Sequence, residues 1–439
     1  MSQKISIPRG TNDILPDEIF RWQNLEDKAR TLMRLYGYEE IRTPIFEDTG
    51  LFKRSLGPAS DVVTKQLLEL KSRTEDTVPD GESYSLRPEG TAPIVRAYIE
   101  HHLDKKEGLS KLYYFGPMFR GERPQRGRLR QFHQVGVELI GLHSFQPFLD
   151  AEAMALSIRL LEGFGVEGFR LKINSLGSHE DKKNLSSILR ERLKKDVRNL
   201  CPECQARFER NVFRILDCKN KECRAVVARL ELGDAHLSPP SKEYFQKVRA
   251  ALDLWGVAHT VSPHLVRGLD YYTHTVFEIS HAGLGSQDAL GAGGRYNDLV
   301  AQLGGPKDIG GMGFALGIER ILLAVGGGET RDEGRVTKLD AFIVSLDKEE
   351  ETKAYTAAFE LLNELRRKEI AADMNHTRGS MKSQMRAADK SGARYVIIIG
   401  EDELKEDIVT LKNMASGEQR KVPQSKLAAE FNKVSSVKS

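Results

Sequence analysis

Hydrophobic positions near the N-terminus recur at helical spacing. Apolar residues follow one another at intervals of three or four along one segment, namely Ile19, Trp22, Leu25, Ala29, Leu32 and Leu35. Such intervals place the apolar side chains on one face of an α-helix. The acidic "LPDE" before the segment and Gly37 after it are typical of a helix start and a helix stop. The pattern predicts a long amphipathic helix over 19–35.

A proline interrupts the next segment, "EEIRTPIFED". The residues on both sides are typical of a β-strand, but Pro44 has no amide hydrogen with which to pair across a sheet. We therefore expect one strand interrupted at Pro44, which lies at a sheet edge or in an interface.

Two apolar segments then flank a polar loop. "KLYYFGPMFRGE" and "RQFHQVGVELIG" lie on either side of "RPQRGR", and this arrangement predicts an antiparallel hairpin. Strand alternation puts four residues of the second segment on one face, namely Phe132, Gln134, Gly136 and Glu138. These residues make an unusual core but a suitable pocket floor, because they offer a stacking surface, space and directional hydrogen bonds.

The C-terminal part alternates between strand and helix signals. "LDAFIVSL", the helical "TKAYTAAFELLNELRRK" and "ARYVIIIG" predict a small separate α/β domain. Residues 178–250 are rich in Lys, Arg and Glu, so we interpret them as an insertion. The expected organisation is a first domain over 1–325 with that insertion, a linker over 326–337, the α/β domain over 338–426 and a flexible tail over 427–439.

The composition indicates a folded protein that needs local basic patches to bind a polyanion. Of the 439 residues, 40% are hydrophobic and 29% are charged, which excludes a disordered chain. The net charge of +3 gives no overall attraction to nucleic acid, so a polyanion needs local basic patches. No segment has the apolar core of a signal peptide or the length of a membrane span. We expect a cytoplasmic protein without a membrane partner.

The four cysteines lie close together in sequence, at Cys201, Cys204, Cys218 and Cys223. Their confinement to one short segment argues against a disulfide framework and for a reducing compartment. A CxxC pair followed by a CxxxxC pair could close a tetrahedral zinc site. The alternative is four reduced thiols in a mobile insertion, and the spacing leaves both open.

Arginines mark a candidate phosphate site around the hairpin. Strand alternation puts Arg120 and Glu122 on one face. The guanidinium can bind phosphate, and the nearby carboxylate can accept a hydrogen bond from an amine. The alternative is a salt bridge between these two side chains. Four more arginines would repel one another in the loop unless an anion binds there, namely Arg123, Arg126, Arg128 and Arg130.

A glycine-rich strand leads into a helix at "GGMGFALGIERILLAV". Arg320 falls in the first helical turn, where a cation is unfavourable unless an anion is bound; an ion pair with Glu319 is the alternative. The sequence contains no GxxxxGK[ST], GxSxG or HExxH, which excludes P-loop enzymes, α/β-hydrolases and common zinc proteases.

The segment "LVRGLDYYTHTVFEI", residues 265–279, reads as a buried strand that carries an arginine. Alternation cannot put Arg267 and Tyr272 on one face, so we expect a bulge or turn near Gly268. For Arg267 the alternative to a functional role is an ion pair with an acidic neighbour such as Asp270.

Several of these segments together resemble one enzyme family. "FRGE" with its basic loop resembles motif 2 of class II aminoacyl-tRNA synthetases, "GMGFALGIERIL" resembles motif 3, and the first helix with the Pro44 strand resembles motif 1. "LVRGLDYYTHTVFEI" and "GAGGRYNDLV" are similar to the signature peptides of bacterial-type histidyl-tRNA synthetases, and "RGTNDILPDE" and "LRPEGTAPIVRA" fit that family. The resemblance implies an α+β catalytic domain on an antiparallel sheet and a C-terminal α/β anticodon-binding domain.

The implied activity is ATP-dependent ligation of L-histidine to tRNA(His) through a histidyl-adenylate, with release of AMP and pyrophosphate. The resemblance also implies Mg²⁺ bound with ATP and a homodimer. An alternative is a non-catalytic, synthetase-like regulatory subunit of ATP phosphoribosyltransferase, although such subunits lack the C-terminal domain and intact signature peptides, which this chain has.

Site residues follow from the resemblance position by position. It implies that Arg120 and Arg267 are catalytic and lie on opposite sides of the α-phosphate of ATP. It implies ATP binding by Arg120, Glu122, Arg128, Phe132 and Arg320. It implies histidine binding by Glu89, Gly90, Thr91, Gln134, Glu138, Tyr271, Tyr272 and Tyr296. Contacts to the acceptor end of tRNA are implied for Gln125, Arg126 and Arg130, and His274 receives no role.

Overall fold

A computed structural model describes residues 5–58, 60–71, 83–105, 108–285, 288–326, 339–347, 352–376 and 379–435. The chain divides into two compact units, Met1–Glu329 and Thr330–Ser439. Apart from Gly326, the predicted linker over 326–337 lies outside the described residues. Within those residues, none of the helices combines the length and the apolar character needed to cross a membrane.

The first unit combines helices with a large sheet. Its helices are α1 (Ile19–Leu35), α2 (Thr49–Leu56), α3 (Thr91–Glu100), α4 (Pro147–Gly163), α5 (His179–Leu193), α6 (Pro202–Arg210), α7 (Phe213–Leu216), α8 (Lys221–Ala228), α9 (Pro239–Leu254), α10 (Leu299–Gln302) and α11 (Ile318–Val325). Its strands are β1 (Glu39–Glu40), β2 (Phe46–Asp48), β3 (Leu68–Glu69), β4 (Tyr84–Leu86), β5 (Leu109–Phe119), β6 (Gln131–Gly141), β7 (Phe169–Ser175), β8 (Thr260–Val261), β9 (Thr273–His281), β10 (Ala289–Arg295) and β11 (Gly310–Gly317). A π-helix spans Val62–Gln66.

The large sheet is antiparallel through its centre. Across the described residues its eight strands run in the order β1-β5-β6-β11-β10-β9-β7-β8, and only the outer strands β1 and β8 pair in parallel with their neighbours. β5 and β6 form the predicted antiparallel hairpin. On the other side of β6, the register with β11 places Glu138 opposite Gly313. The predicted α+β architecture on an antiparallel sheet is confirmed.

The predicted amphipathic helix corresponds to α1. Its buried side chains are those of Trp22, Leu25, Ala29 and Met33, which pack in the main core with residues of α4 and α9. The apolar face therefore anchors the helix on the sheet, as the periodicity predicted.

The segment around Pro44 corrects the prediction of one interrupted strand. It forms two strands in different sheets: β1 is the edge strand of the large sheet, and β2 belongs to a small sheet of order β2-β4-β3. The chain bends between them, and the side chain of Arg87 donates to the carbonyls of Thr43 at 3.0 Å and Pro44 at 3.4 Å. Arginine thus satisfies backbone groups that the bend removes from strand pairing.

The charged insertion is shorter than predicted. Helices α5 to α8 bury apolar side chains, among them Leu189, Leu193 and Ile215, in a second cluster that they share with residues of the main body such as Phe52 and Tyr98. Helix α9 also lies in the predicted range of 178–250, but its residues Tyr244 and Val248 pack in the main core. The end of the insertion therefore lies before α9, because apolar packing against α4 assigns that helix to the main body of the unit.

The segment 265–279 is a strand only in its second part. β9 begins at Thr273, and residues 268–271 form a turn instead of the buried strand that the apolar pattern suggested. The expected turn near Gly268 is confirmed. Arg267 and Tyr272 therefore lie on a loop, whose conformation no strand pairing fixes.

The second unit is an α/β domain. Its helices are α12 (Lys353–Arg367), α13 (Met381–Ser391), α14 (Glu401–Glu406) and α15 (Leu427–Ser435). Its strands are β12 (Ala341–Leu346), β13 (Ala372–Met374), β14 (Tyr395–Gly400), β15 (Ile408–Asn413) and β16 (Gln419–Pro423), in the sheet order β13-β12-β14-β15-β16. β12 pairs in parallel with β13 and β14, and the later strands are antiparallel. The predicted alternation of strand and helix is confirmed.

The prediction of a flexible tail from residue 427 is wrong for 427–435. These residues form α15, and Leu427 and Phe431 are buried in the core of the second unit. The ring of Phe431 meets that of Tyr395 edge to face at a centroid distance of 5.5 Å. Burial of these two side chains fixes the helix on the domain. Residues 436–439 lie outside the described part of the chain.

Candidate active site

One cleft of about 690 Å³ in the first unit brings most of the predicted site residues together. Its lining includes Glu89, Thr91, Arg120, Glu122, Arg128, Phe132, Gln134, Arg267, Tyr271, Tyr272, Tyr296 and Arg320. Gly90 lies between Glu89 and Thr91 in the sequence. Glu138 is buried and accepts hydrogen bonds from Thr91 and Tyr296. Residues of the insertion line the cleft from another side, among them Arg207, Arg214 and Lys219.

Arg120 and Phe132 form one wall of the cleft. Arg120 follows β5, and its guanidinium lies 5.3 Å from the centroid of the Phe132 ring on β6. Its Nε donates to the carbonyl of Pro88 at 2.9 Å. Burial lowers the pKa of Arg120, although the carboxylates of Glu122 and Glu89 oppose that effect. A desolvated guanidinium beside an aromatic ring suits a ligand that carries both phosphate and a planar base.

Glu122 pairs with two arginines, more closely with Arg128 than with Arg120, the partner considered in the sequence. Its carboxylate lies 3.2 Å from Nη1 of Arg128 and 3.9 Å from Nη1 of Arg120. The closer pair joins the two ends of the loop between β5 and β6. The carboxylate is thereby held at the mouth of the cleft, where it can accept from an amine.

Arg320 lies in the first turn of α11 but does not pair with Glu319. Its side chain donates to the carbonyls of Gly127, at 3.0 Å, and of Ala289. Glu319 accepts from the backbone N–H of His133 at 2.9 Å and also lies 2.9 Å from its ring Nδ1. Burial lowers the pKa of Arg320, and the neighbouring charge of Arg128 acts in the same direction. Arg320 is half-buried near Arg120 and Arg128 as well as Glu122 and Glu278, and this cluster at a helix start suits a bound anion.

Glu138 is fully buried next to the cleft, behind residues that line it. Its carboxyl group accepts from Thr91 Oγ1 at 2.6 Å and from the hydroxyl of Tyr296. Burial raises the pKa of Glu138 to about 8, against the effect of these two hydrogen bonds. A Cβ atom at Gly313, on the adjoining strand, would collide with the Glu138 carboxyl group. Glycine there leaves just enough room for an acid beneath the cleft.

Three tyrosines surround the space above Glu138. The rings of Tyr271 and Tyr272 have centroids 4.6 Å apart, and those of Tyr271 and Tyr296 are 5.8 Å apart. Burial raises the pKa of Tyr272 to about 12, so its hydroxyl remains protonated at neutral pH. The aromatic walls and the polar floor suit a small planar ligand that exchanges hydrogen bonds at one end.

Two further groups can receive an amine in the same region. The carboxylate of Glu89 accepts from the backbone N–H groups of Thr91 at 2.7 Å and Ala92 at 2.9 Å, which satisfies the start of α3. Burial raises the pKa of Glu89. Oε1 of Gln134 is buried and has no hydrogen-bond partner among the described residues. A donor from a ligand would satisfy that oxygen.

Arg267 binds Glu278 and not Asp270. Its Nη1 lies 2.7 Å from the Glu278 carboxylate on β9, whereas Asp270 accepts from the side chain of Asn211 at 2.9 Å. Nε of Arg267 has no partner within the described part of the chain. The ion pair considered as the alternative for Arg267 therefore exists, with Glu278 in place of Asp270, while Nε remains a buried donor for a ligand. Sequence reasoning missed Glu278, although it is the one acid in the strand "THTVFEISH".

The loop residues predicted to meet tRNA lie outside the cleft lining. Gln125, Arg126 and Arg130 are exposed on the loop between β5 and β6. A single bridge between Gln125 and Arg128 shapes the loop, and Nη1 of Arg130 lies 3.4 Å from the carbonyl of Arg9. The loop therefore presents exposed cations next to the cleft mouth.

The four cysteines meet in space at the edge of the insertion. Their Sγ atoms all lie within 4.8 Å of one another, and those of Cys201 and Cys218 are 3.9 Å apart. Zinc–sulfur bonds of ~2.3 Å in a tetrahedron place sulfur atoms roughly 3.8 Å apart. The backbone N–H of Cys201 also donates to Sγ of Cys223 at 3.2 Å. The arrangement fits a tetrahedral thiolate site, and Cys201 and Cys218 also line the cleft.

Comparisons with known proteins cover both units. Residues 10–321 match a family model described as histidyl-tRNA synthetase, and residues 340–434 match one described as anticodon binding domain. A histidine–tRNA ligase of Moorella thermoacetica is 46% identical over 426 residues, which cover 95% of this chain and 96% of that protein. One of Halothermothrix orenii is 43% identical over 435 residues, covering 98% and 99%. The solved structure of apo S. aureus histidyl-tRNA synthetase is similar with a TM-score of 0.77 at 37% identity, covering 98% of this chain and 100% of that one.

Proposed function

Because the chain belongs to the histidyl-tRNA synthetase family, we propose that the cleft of its first unit performs the ATP-dependent ligation of L-histidine to tRNA(His). The observation that carries this proposal is the joint position of Arg120, Arg267 and Arg320 around one cleft, with Glu138 buried behind the lining residues Thr91 and Tyr296. Three cations suit a triphosphate, and a buried acid among tyrosines suits an imidazole.

ATP binds on the hairpin side of the cleft. Phe132 stacks on adenine, Glu122 accepts from the exocyclic amine, and Arg128 holds Glu122 in place through their ion pair at 3.2 Å. Arg320 binds the γ-phosphate from the start of α11. Mg²⁺ bound with ATP would supply further positive charge beside the phosphates that Arg120 and Arg320 contact.

Histidine binds on the tyrosine side. Glu138 and Tyr272 exchange hydrogen bonds with the imidazole, while Glu89, Thr91 and the unpartnered oxygen of Gln134 receive the α-amino group. Recognition by buried polar groups rejects amino acids that leave those groups unpaired, so no editing domain is needed.

Adenylation then joins the two substrates. A carboxylate oxygen of histidine forms a bond to the α-phosphorus of ATP, the bond from that phosphorus to the bridging oxygen breaks, and pyrophosphate leaves. Arg120 and Arg267 contact the α-phosphate from opposite sides and stabilise the charge that grows on its oxygens. In the second step a hydroxyl of the terminal adenosine of tRNA attacks the histidyl carbonyl and AMP leaves.

The remaining parts of the chain hold the partners. The exposed loop with Gln125, Arg126 and Arg130 contacts the acceptor end of tRNA, and the second unit, from about 338, binds the anticodon. The enzyme acts as a cytoplasmic homodimer, in which α1 and β1 form the interface and the partner subunit covers the sheet edge that β1 would otherwise expose. Light scattering that finds a monomer at micromolar concentration would contradict the dimer.

The four cysteines bind one structural zinc ion, which ties both ends of the segment 201–223 together. Elemental analysis of freshly purified, unchelated protein should find one zinc per chain, and replacement of Cys223 by Ser should lower that content and the melting temperature. A protein free of zinc would contradict this part of the proposal without affecting the assignment of the cleft.

Histidine-dependent exchange of pyrophosphate into ATP tests the proposed reaction. We expect exchange with histidine and none with other amino acids, followed by charging of tRNA(His). The alternative, a regulatory subunit of ATP phosphoribosyltransferase, predicts no exchange at all. The intact second unit and the relatives named histidine–tRNA ligase favour the enzyme.

A further inference from the structure

The loop 267–272 carries three residues of the proposed site but lies outside the sheet. Arg267, Tyr271 and Tyr272 precede β9, in a segment whose centre is a turn. A loop without strand pairing depends on other contacts for a fixed conformation. Those contacts decide how accurately the three side chains are placed.

Lys182 of the insertion holds the backbone of this loop. From the first turn of α5 its Nζ donates to the carbonyls of Asp270 at 3.0 Å and Tyr272 at 2.8 Å. The two carbonyls flank Tyr271. Burial lowers the pKa of Lys182, while the charges of Asp270 and Asp298 act in the opposite direction. One ammonium group thus orders the part of the loop that faces histidine.

A second contact from the insertion comes from the segment between the cysteine pairs. Asn211 donates to the carboxylate of Asp270 at 2.9 Å. The guanidinium of Arg214 lies against the backbone of Gly268, because a Cβ atom placed there would be 3.1 Å from Nη1. Asn211 and Arg214 therefore contact the loop at Asp270 and Gly268, and Arg214 also lines the cleft.

Asp61 anchors Arg214 to the main body of the unit. Its Oδ2 lies 2.9 Å from Nη2 of Arg214 and 2.7 Å from Nη2 of Arg207. Burial alone raises the pKa of Asp61, but the hydrogen bond from Arg214 and the charges of both arginines outweigh it and lower that pKa. The carboxylate remains charged and holds Arg214 against the loop.

We propose that the insertion positions the loop 267–272 for histidine recognition and adenylation, with Lys182 and Arg214 as positioning residues. This inference rests on the proposed function of the cleft. Neither residue belongs to the proposed ATP contacts, because Arg120, Phe132 and Arg320 lie on other elements. Lys182 holds the carbonyls on either side of Tyr271, so loss of its contacts should affect histidine more than ATP.

Lys182→Met in the full-length protein tests this inference, with Lys183→Met as the matched control. Lys183 is the next residue of α5, is exposed, and pairs with Glu180 at 3.5 Å. We expect Lys182→Met to raise KM for histidine about tenfold and to slow single-turnover adenylation about tenfold, because two hydrogen bonds are lost. KM for ATP should stay within about twofold, and Lys182→Arg should recover part of the loss because it restores donors.

Hydrogen exchange gives a readout independent of catalysis. The amides of residues 268–272 should exchange faster in Lys182→Met than in the wild type or in Lys183→Met. If Lys182→Met does not fold, Arg214→Gln replaces it, with Arg210→Gln on the exposed face of α6 as its control. Faster exchange confined to this loop supports the inference.

Several outcomes would overturn the inference. One is that both test variants keep the wild-type KM for histidine and the wild-type adenylation rate. Another is that their KM for ATP rises as much as their KM for histidine. A third is that the control variants lose as much activity as the test variants. A wild-type protein without histidine-dependent exchange would instead contradict the proposed function itself. The two failures are therefore distinguishable in one set of assays.

Discussion

The proposed ATP half of the cleft, formed by Arg120, Phe132 and Arg320, and the proposed histidine half, formed by Glu138 and Tyr272, are built differently. The first half lies at the ends of β5 and β6 and at the start of α11. The second half combines a buried acid on β6 with the loop 267–272, which the insertion contacts through Lys182 and Arg214. Regular elements fix one half, and side-chain contacts fix the other.

This difference separates affinity from selectivity. Cations on rigid elements bind any suitably spaced phosphates, and their mutual repulsion is relieved when the anion binds. A buried acid hydrogen-bonded to Thr91 and Tyr296 accepts only a ligand with matching polar groups. Changes in the first half should therefore affect ATP, and changes in the second should affect histidine.

Arg267→Lys should have the largest effect, because Arg267 connects the two halves. Lysine keeps the charge but loses the planar group that can contact Glu278 and the α-phosphate together. We expect single-turnover adenylation to slow about a hundredfold, with melting temperature and ATP binding near wild type. A lysine variant within a few-fold of the wild-type rate would remove the catalytic role.

Glu138→Gln should weaken histidine binding about thirtyfold and leave KM for ATP nearly unchanged. An amide cannot replace a carboxyl group that already accepts from Thr91 and Tyr296 and must also bind the imidazole. Histidine-dependent exchange at varied substrate concentrations measures both constants. An unchanged histidine constant would remove Glu138 from the recognition site and with it the proposed division of the cleft.

Phe132→Ala should have the opposite pattern of effects, weakening ATP binding more than histidine binding. Loss of the ring removes the stacking surface for adenine and the contact with the Arg120 guanidinium at 5.3 Å. We expect KM for ATP to rise about tenfold, while KM for histidine changes less than about twofold. A larger change for histidine than for ATP would show that the two halves are not separate.

The smallest effect concerns stability and pH in the ligand-free protein. Burial raises the pKa of Glu138 to about 8, so between the ordinary range of a glutamate and pH 8 the folded state holds a proton that the unfolded state releases. The contribution of Glu138 to the free energy of unfolding therefore falls as the pH rises towards 8.

Glu138→Gln removes the titrating group, so its melting temperature relative to wild type should increase between pH 5 and pH 8.5, by on the order of a few °C. Melting curves of both proteins, with the exposed Glu180→Gln as control, measure the difference. A constant offset across this range would contradict the raised pKa.

The sequence predicted the elements of the ATP half better than those of the histidine half. The β5–β6 hairpin and the passage from β11 to α11 follow from local periodicity and glycine placement, and both are confirmed. Within the histidine half, the apolar pattern around Tyr271 suggested a strand where there is a turn. Apolar side chains are buried in both conformations, so periodicity cannot distinguish them.

Partners of individual side chains were the least predictable feature. Asp270 is three residues from Arg267 and was the obvious ion-pair candidate, but Glu278 takes that place because β9 carries it back to the cleft. Lys182 reaches the loop from 88 residues away in sequence. Such contacts depend on the tertiary fold, as does the docking of α9 and α15 on cores that the sequence alone did not assign to them.

The pairing of β6 with β11 also has a consequence for synthesis on the ribosome. Glu138 and Gly313 face each other across two strands that are separated by about 170 residues of chain. At translation rates of roughly 5–20 residues per second, β6 emerges about 10–30 s before its partner. During that interval one edge of β6 is open to pairing with another nascent chain. Protection of that edge until β11 is synthesised would therefore limit wrong association of the nascent chain.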